Sequence, residues 1–296
     1  PLDYDTRYGK GWAYGKLRND FLAEVCEGAT ALWPPPAAGS RGLELLSLGE
    51  GQGRNAAYLA GLGHACTAVD RSQVGLAKAR ALAAERGVAQ LVRTVAADLC
   101  SFDPADSGGR GEVMRPSGTA GWDGVLSIFC ALPPAQRARL HRACAAALRP
   151  GGAVVIESFA PRHATAHVAA HPEHQWRIGP SDPALLVSCA ELEADFAGFE
   201  IVISREVERR LDEGRFHRGA AVVTQFMARK PCGDQPRALR EDSFGLAVAE
   251  VFDSAVEENG SAELEPLSVA SAAVDLARLG SAGGGERLSK RPGEGL

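Results

Sequence analysis

The residues best suited to chemistry lie in the turn Leu48-Gly49-Glu50-Gly51-Gln52-Gly53-Arg54-Asn55. It follows a short apolar run, Leu43–Leu48, and opens a helical pattern over Asn55–Leu62. Glycines in such a turn tolerate positive φ and let the backbone approach a ligand closely. Arginine at 54 breaks the G-x-G-x-x-G spacing of a dinucleotide fingerprint, and no Gly-Lys-Ser or Gly-Lys-Thr follows to cradle phosphate. Asp70 closes the next apolar run about twenty residues on, where a carboxylate can accept both hydroxyls of an adenosine ribose. Asp98 closes a third run, and its carboxylate and neighbouring backbone are placed to accept from an adenine amino group.

The elements that must position these residues follow a β-α-β-α alternation. Strands are expected at Leu43–Leu48, Ala65–Val69, Leu91–Ala96, Asp123–Phe129 and Ala153–Ser158. Helices are expected at Asn55–Leu62, from the N-cap Ser72 through Ala84, and over Pro134–Leu148, which stops at Pro150-Gly151-Gly152. Alternation of this kind predicts a parallel sheet with helices on both faces. A helix over Pro183–Phe196 should precede two further strands, Phe199–Val207 and Ala220–Ala228, joined by about a dozen polar residues as an antiparallel edge pair. Ahead of the first strand, Lys16–Ala29 reads as a short helix that Trp33-Pro34-Pro35-Pro36 ends.

With this order the sequence resembles the class I S-adenosylmethionine-dependent methyltransferases over roughly residues 5–231. The pieces that carry the likeness are LLSLGEGQGRNAAYLAGLGHACTAVDRSQVGLAKAR, AADL, WDGVLSIFCALPP and LRPGGAVVIESF. RYGKGWAYGKLRNDFL and EGRFHRGAAVVTQFMARKP are similar to the two ends of the TehB-like tellurite-resistance branch.

The resemblance implies an α/β, Rossmann-like fold: a seven-stranded, mostly parallel sheet with helices on both faces and an antiparallel edge hairpin. It implies S-adenosyl-L-methionine as cofactor. Gly49, Gly51 and Gly53 would face its methionine and ribose, Asp70 would hold the ribose, and Asp98 and Leu99 would frame the adenine. Phe129 would lie beside the sulfonium, and Asn55 and Arg71 complete the expected cofactor set. His217 and Arg218 fall where the tellurite-type enzymes carry a pair proposed to act on the substrate. Ser47 stands where many class I enzymes have an acid, which leaves Glu50 to meet the cofactor's amino group. Arg18-Asn19 replaces the branch's usual Pro-Asn.

The expected reaction is transfer of a methyl group to a small-molecule acceptor, a thiol or a chalcogen oxyanion. The alternative is a module that keeps the cofactor pocket without turnover. An NAD-dependent oxidoreductase is disfavoured by Arg54. Arg7 and Tyr14 either close over the acceptor or belong to a surface segment with one buried aromatic.

Three domains are expected: an amino-terminal cap at 1–36, the cofactor-binding domain at 37–231, and a low-complexity, disorder-prone tail at 232–296. Residues 104–121 read as a loop rich in Gly, Ser and Pro. His163, His167, His171 and His174 share a helical spacing, but Pro172 interrupts it and no carboxylate or thiol completes a set, so no metal is expected.

The chain has 296 residues and a formal net charge of −5. With no basic stripe, neither nucleic acid nor an anionic membrane surface is an expected partner. Seven scattered cysteines, an odd number, suit reduced thiols and a cytoplasmic location. The first residue, Pro1, leaves a removed targeting segment open. Oligomeric state is not readable.

Overall fold

A computed structural model describes residues 3–27, 32–105, 121–165 and 178–232. Its described elements are α1 (Tyr4–Gly9), α2 (Asp20–Glu27), β1 (Glu44–Leu48), α3 (Arg54–Gly61), β2 (Ala65–Asp70), α4 (Gln73–Glu85) and β3 (Val92–Ala96). They continue with β4 (Trp122–Ile128), α5 (Pro134–Ala147), β5 (Leu148–Phe159), α6 (Cys189–Asp195), β6 (Glu200–Glu213) and β7 (His217–Arg229).

The seven strands form one sheet in the order β3-β2-β1-β4-β5-β7-β6. Strands β1 to β5 pair in parallel, whereas β7 runs antiparallel to both β5 and β6. This is the expected Rossmann-like sheet with its edge hairpin. From β1 the chain winds outward to β2 and β3, then returns to β4 on the other side of β1. In open α/β sheets ligands bind where the strand order reverses, at the carboxyl ends of the strands. Here that crevice lies between β1 and β4.

Period-2 alternation divides the apolar residues between two layers. Leu45, Cys66, Ala68, Leu126 and Val155 pack on one face with Phe21 and Leu22 of α2 and Leu59 of α3. Their neighbours Leu46, Val69, Val125, Val154 and Ile156 pack on the other with Leu140 and Cys144 of α5 and Phe196. Trp33, from the proline-rich segment, is buried against β4, where a Cβ on Gly124 would stand 2.3 Å from its ring. A glycine in the strand makes room for the indole.

Three expectations change. The polar stretch between the last two strands is not a long loop: β6 runs to Glu213, β7 starts at His217, and only Gly214, Arg215 and Phe216 connect them. Burial alternates along the end of β6, with Leu211 and Glu213 buried and Glu208, Arg210 and Asp212 exposed. Charged side chains pointing inward hid this strand from a hydrophobicity reading. Pro183–Phe196 is not one helix either. A single 3-10 turn, Pro183–Leu185, gives way to extended Leu186, and Ser188 then starts α6 with a capping box to Glu191.

Pro150-Gly151-Gly152 lies within β5 rather than before it, at an irregularity in its pairing with β4. Most of the 104–121 loop, His167, His171 and His174 of the histidine run, and the tail from 233 fall outside the described residues. Among the described residues no helix is long and apolar enough to cross a membrane.

Candidate functional site

Gly49 and Gly51 both adopt φ of +62°, and Gly53 adopts +87°. A Cβ at Gly49 would come within 2.7 Å of Cys130 Sγ, just past β4, and one at Gly51 within 2.6 Å of the Tyr8 hydroxyl. The turn at the switch point therefore has no room for side chains, with Cys130, Tyr8 and Ala79 pressed against its three glycines. Asp70, at the end of β2, braces it. Its Oδ2 accepts the Gly51 N–H at 2.8 Å and its Oδ1 accepts the Ser72 N–H at 2.8 Å. Each carboxylate oxygen has a second acceptor direction, so both remain able to take a hydroxyl. Burial pushes the Asp70 carboxyl up, and the two backbone donors oppose this.

Glu50 has a different partner set from the cofactor contact expected of it. Its Oε1 accepts the N–H groups of Asn55 and Ala56, both at 3.0 Å, and its Oε2 accepts the Ser47 hydroxyl. The N-cap of α3 is Gly53, which has no side chain to offer, so the buried Glu50 satisfies the helix's first donors. Asn55 is likewise occupied, with its Oδ1 accepting the Asn19 N–H at 3.0 Å.

Asp98 is exposed and caps its own turn through the Cys100 N–H at 2.9 Å. Leu99 is buried in the α5-side core. Arg71 is exposed, its guanidinium 5.3 Å from the centre of the Tyr4 ring.

Beyond the turn, Phe129 holds φ of +53°, the one non-glycine residue with positive φ among those described. Such strain in a residue without a short polar side chain persists where surroundings fix it. The Phe129 N–H is tied to the Glu157 carbonyl at 2.7 Å. Its ring centre lies 4.7 Å from that of His217 and 4.9 Å from that of Phe159.

The expected His217–Arg218 pair is split. Neighbouring residues on a strand point to opposite faces. His217 is buried against Phe129 and Tyr14, whose ring centre is 4.5 Å away. The Arg218 side chain is 68% exposed and pairs with Asp212 at 3.1 Å. Arg218 thus does not join His217 among the aromatic rings.

Several site residues carried no sequence signal of their own. Tyr8 of α1 is buried over Gly51 and Gly75. The segment bearing it is pinned by Gln52, which accepts the Ala13 N–H and donates to the Gly11 carbonyl, both at 2.7 Å, and by Lys78. Arg7 donates to the Tyr14 hydroxyl at 2.8 Å, so the two residues left open in the sequence act together beside His217. Cys130 has its thiol pushed up to about 12 by burial, which keeps it neutral.

Arg54 ion-pairs with Glu213 at 2.7 Å, and Arg209 reaches the same carboxylate at 2.6 Å. Asn19 donates to Glu213 and to Glu157, tying the amino-terminal segment to β5 and β6. Burial alone would raise the Glu213 carboxyl, but contact with His217 and the guanidinium groups of Arg54 and Arg209 brings it down to about 2.

Both ring nitrogens of His163 are engaged. Nδ1 faces the Val222 N–H at 3.2 Å and Nε2 the Ile178 carbonyl at 2.9 Å, so this histidine is a structural tie.

Residues 45–152 match a protein-family model described as "Methyltransferase domain". No curated protein matches the sequence. Among solved structures, one concerned with conversion of a disulfide bond into a thioacetal group during echinomycin biosynthesis is 21% identical, with a TM-score of 0.53. The match covers 85% of this chain and 91% of that one. TehB from Haemophilus influenzae is 16% identical, with a TM-score of 0.50, over 77% of this chain and 67% of that one. The span from β1 into β5 is thus similar to a methyltransferase domain, and the sheet around it shares the fold of these two structures.

Proposed function

We propose that this chain is an S-adenosylmethionine-dependent methyltransferase that carries a methyl group to a small acceptor beside His217. The observation that carries this reading is the positive-φ glycine turn at the switch point with the Asp70 carboxylate bound to its backbone. When bound there, the cofactor supplies a methyl group on a positively charged sulfur. The chain's residues bind and orient. Gly49, Gly51 and Gly53 give close backbone approach, Asp70 takes the ribose hydroxyls, and Asp98 with the backbone at Leu99 borders the adenine. Phe129 lies on the acceptor side. Asn55 and Glu50 hold the turn's shape rather than the ligand, and Arg71 borders the rim with Tyr4.

In this reading residues 37–231 are the catalytic domain, 1–36 its cap and 232–296 an appendage. The two end motifs support placement in the TehB-like branch, and the scattered free thiols support a cytoplasmic location. Of the two acceptor classes expected, the chalcogen oxyanion lacks the cation expected of Arg218, which leaves Arg7, beside Tyr14 and His217, to meet it.

Calorimetry tests the reading. S-adenosylmethionine should bind the intact chain, and Asp70→Ala should weaken it roughly 10- to 100-fold, the loss of about 1.5–3 kcal/mol of hydrogen bonding to a charged group. Equal affinity in the variant would remove Asp70 from the site, and no binding by the wild type would end the reading.

A further inference from the structure

The hairpin tip contains a buried arrangement that methyl transfer to an anion would not need. The Nδ1 of His217 is buried and has no hydrogen-bond partner. It faces Glu213 Oε2 at 3.6 Å, longer than a hydrogen bond but close enough for direct electrostatic contact. The two residues are directly paired across β6 and β7, so the sheet register sets their spacing. The carboxylate is held in place by Arg54, Arg209 and Asn19. A buried polar nitrogen left unpaired costs stability, so its retention asks for a use.

Resting on the methyltransferase reading, we propose that Glu213 is the positioning residue of a general-base pair with His217, and that the acceptor is the neutral hydroxyl of a phenol. Glu213 fixes the tautomer with the proton on Nδ1, which leaves the Nε2 lone pair for the acceptor. In apo structures such contacts are often long and tighten when the substrate is bound. The acceptor's O–H proton passes to Nε2 and its oxygen lone pair forms the O–CH3 bond. The electron pair of the broken S–CH3 bond stays on sulfur, and His217 then returns the proton to solvent.

Acidity selects the acceptor class. A thiol, near 8.5, already supplies thiolate at neutral pH, and an oxyanion needs no base at all. An aliphatic alcohol lies close to water, far above the phenols and beyond the reach of an imidazole. A phenol, near 10, is the class for which a carboxylate-backed imidazole makes the difference. The walls agree, because Tyr14, Phe129 and Phe159 surround the base with rings that suit a flat aromatic acceptor.

The charges facing His217 act in opposite senses. Burial lowers its pKa most, the Glu213 carboxylate raises it, and Arg54 and Arg7 lower it. The net direction is down, so the ring is neutral at pH 7 and ready to accept a proton.

The test uses the intact chain and two readouts. Nitrogen-15 NMR of the wild type at pH 7 should show His217 protonated on Nδ1 and bare on Nε2. The opposite tautomer overturns the proposal. Glu213→Gln should shift the His217 titration to lower pH and cut kcat on a phenol panel about 100-fold with KM nearly unchanged. Glu213→Asp should recover part of both, whereas an unmoved titration would make Glu213 merely structural.

The same preparations are offered simple phenols, thiols and tellurite, with S-adenosylhomocysteine as readout and cofactor binding measured separately. Turnover of thiols or tellurite without phenols, or no turnover of any phenol by protein that binds the cofactor, overturns the acceptor assignment. Failure of the wild type to bind the cofactor instead overturns the methyltransferase reading on which it rests.

Discussion

At the residue scale, strand geometry sorts two neighbours that the sequence presents as a pair. His217 and Arg218 are adjacent in the chain, yet β7 turns one inward among aromatic rings and the other out to solvent. An exposed ion pair such as Arg218–Asp212 contributes little to stability, roughly 0–1 kcal/mol. Arg218→Ala should therefore leave kcat/KM within about twofold and the melting temperature nearly unchanged, whereas His217→Ala should depress kcat by the factor of about 100 or more typical of a lost general base. A large loss in Arg218→Ala alone would mean that the arginine turns inward during the reaction. Glu50 shows the same sorting by partner. Its position inside the turn marks it as a ligand contact, but a glycine N-cap leaves helix donors open and Glu50 fills them.

At the element scale, most of what builds the glycine turn was legible and most of what surrounds His217 was not. The strand ends, the glycine turn and Asp70 depend on local signals: an apolar run, a stop, a carboxylate at fixed distance. The end of β6 and the amino-terminal segment depend on partners far away in sequence. Arg209 and Glu213 read as solvated charges until β5, α3 and Asn19 are folded against them. Tyr8 carries no signal of its own and Tyr14 stays open between two roles until the glycine turn and His217 lie beneath them. The hairpin tip and the amino-terminal segment meet backbone to backbone. Gly214 has φ of +74°, and a Cβ there would lie 2.3 Å from the Gly15 nitrogen. Phe216 also donates its N–H to the Ala13 carbonyl at 3.1 Å. Neither backbone can swing aside as a side chain would. Gly214→Ala should thus push residues 13–15 away from the tip, draw Tyr14 off His217 and lower stability by about 1–3 kcal/mol. Thermal melts and turnover on the same variant check this, and a fully stable, active Gly214→Ala would show that the two segments part without consequence.

At the scale of the whole molecule, the buried charges tie the amino-terminal segment, α3 and the edge strands to β5, and that tie titrates. Glu213 is buried and its folded pKa, about 2, lies below the ordinary glutamate value near 4.3. A depressed carboxyl contributes stability that is complete above the unfolded pKa and is lost as pH falls through the folded one. The difference between the two values corresponds to about 3 kcal/mol at neutral pH. Glu50, Asp70 and Glu157 are raised by burial and act in the opposite sense, their contribution falling as pH rises. The acid limb of the wild type alone therefore mixes both signs, and a comparison isolates Glu213. Urea unfolding of the wild type and Glu213→Gln should differ by about 3 kcal/mol between pH 6 and 7, with the gap closing as pH falls from about 4.5 towards 2. A gap that stayed constant across that window would mean that the carboxylate contributes through shape and hydrogen bonding. In that case its charge would not be what joins the cap, the cofactor turn and the hairpin.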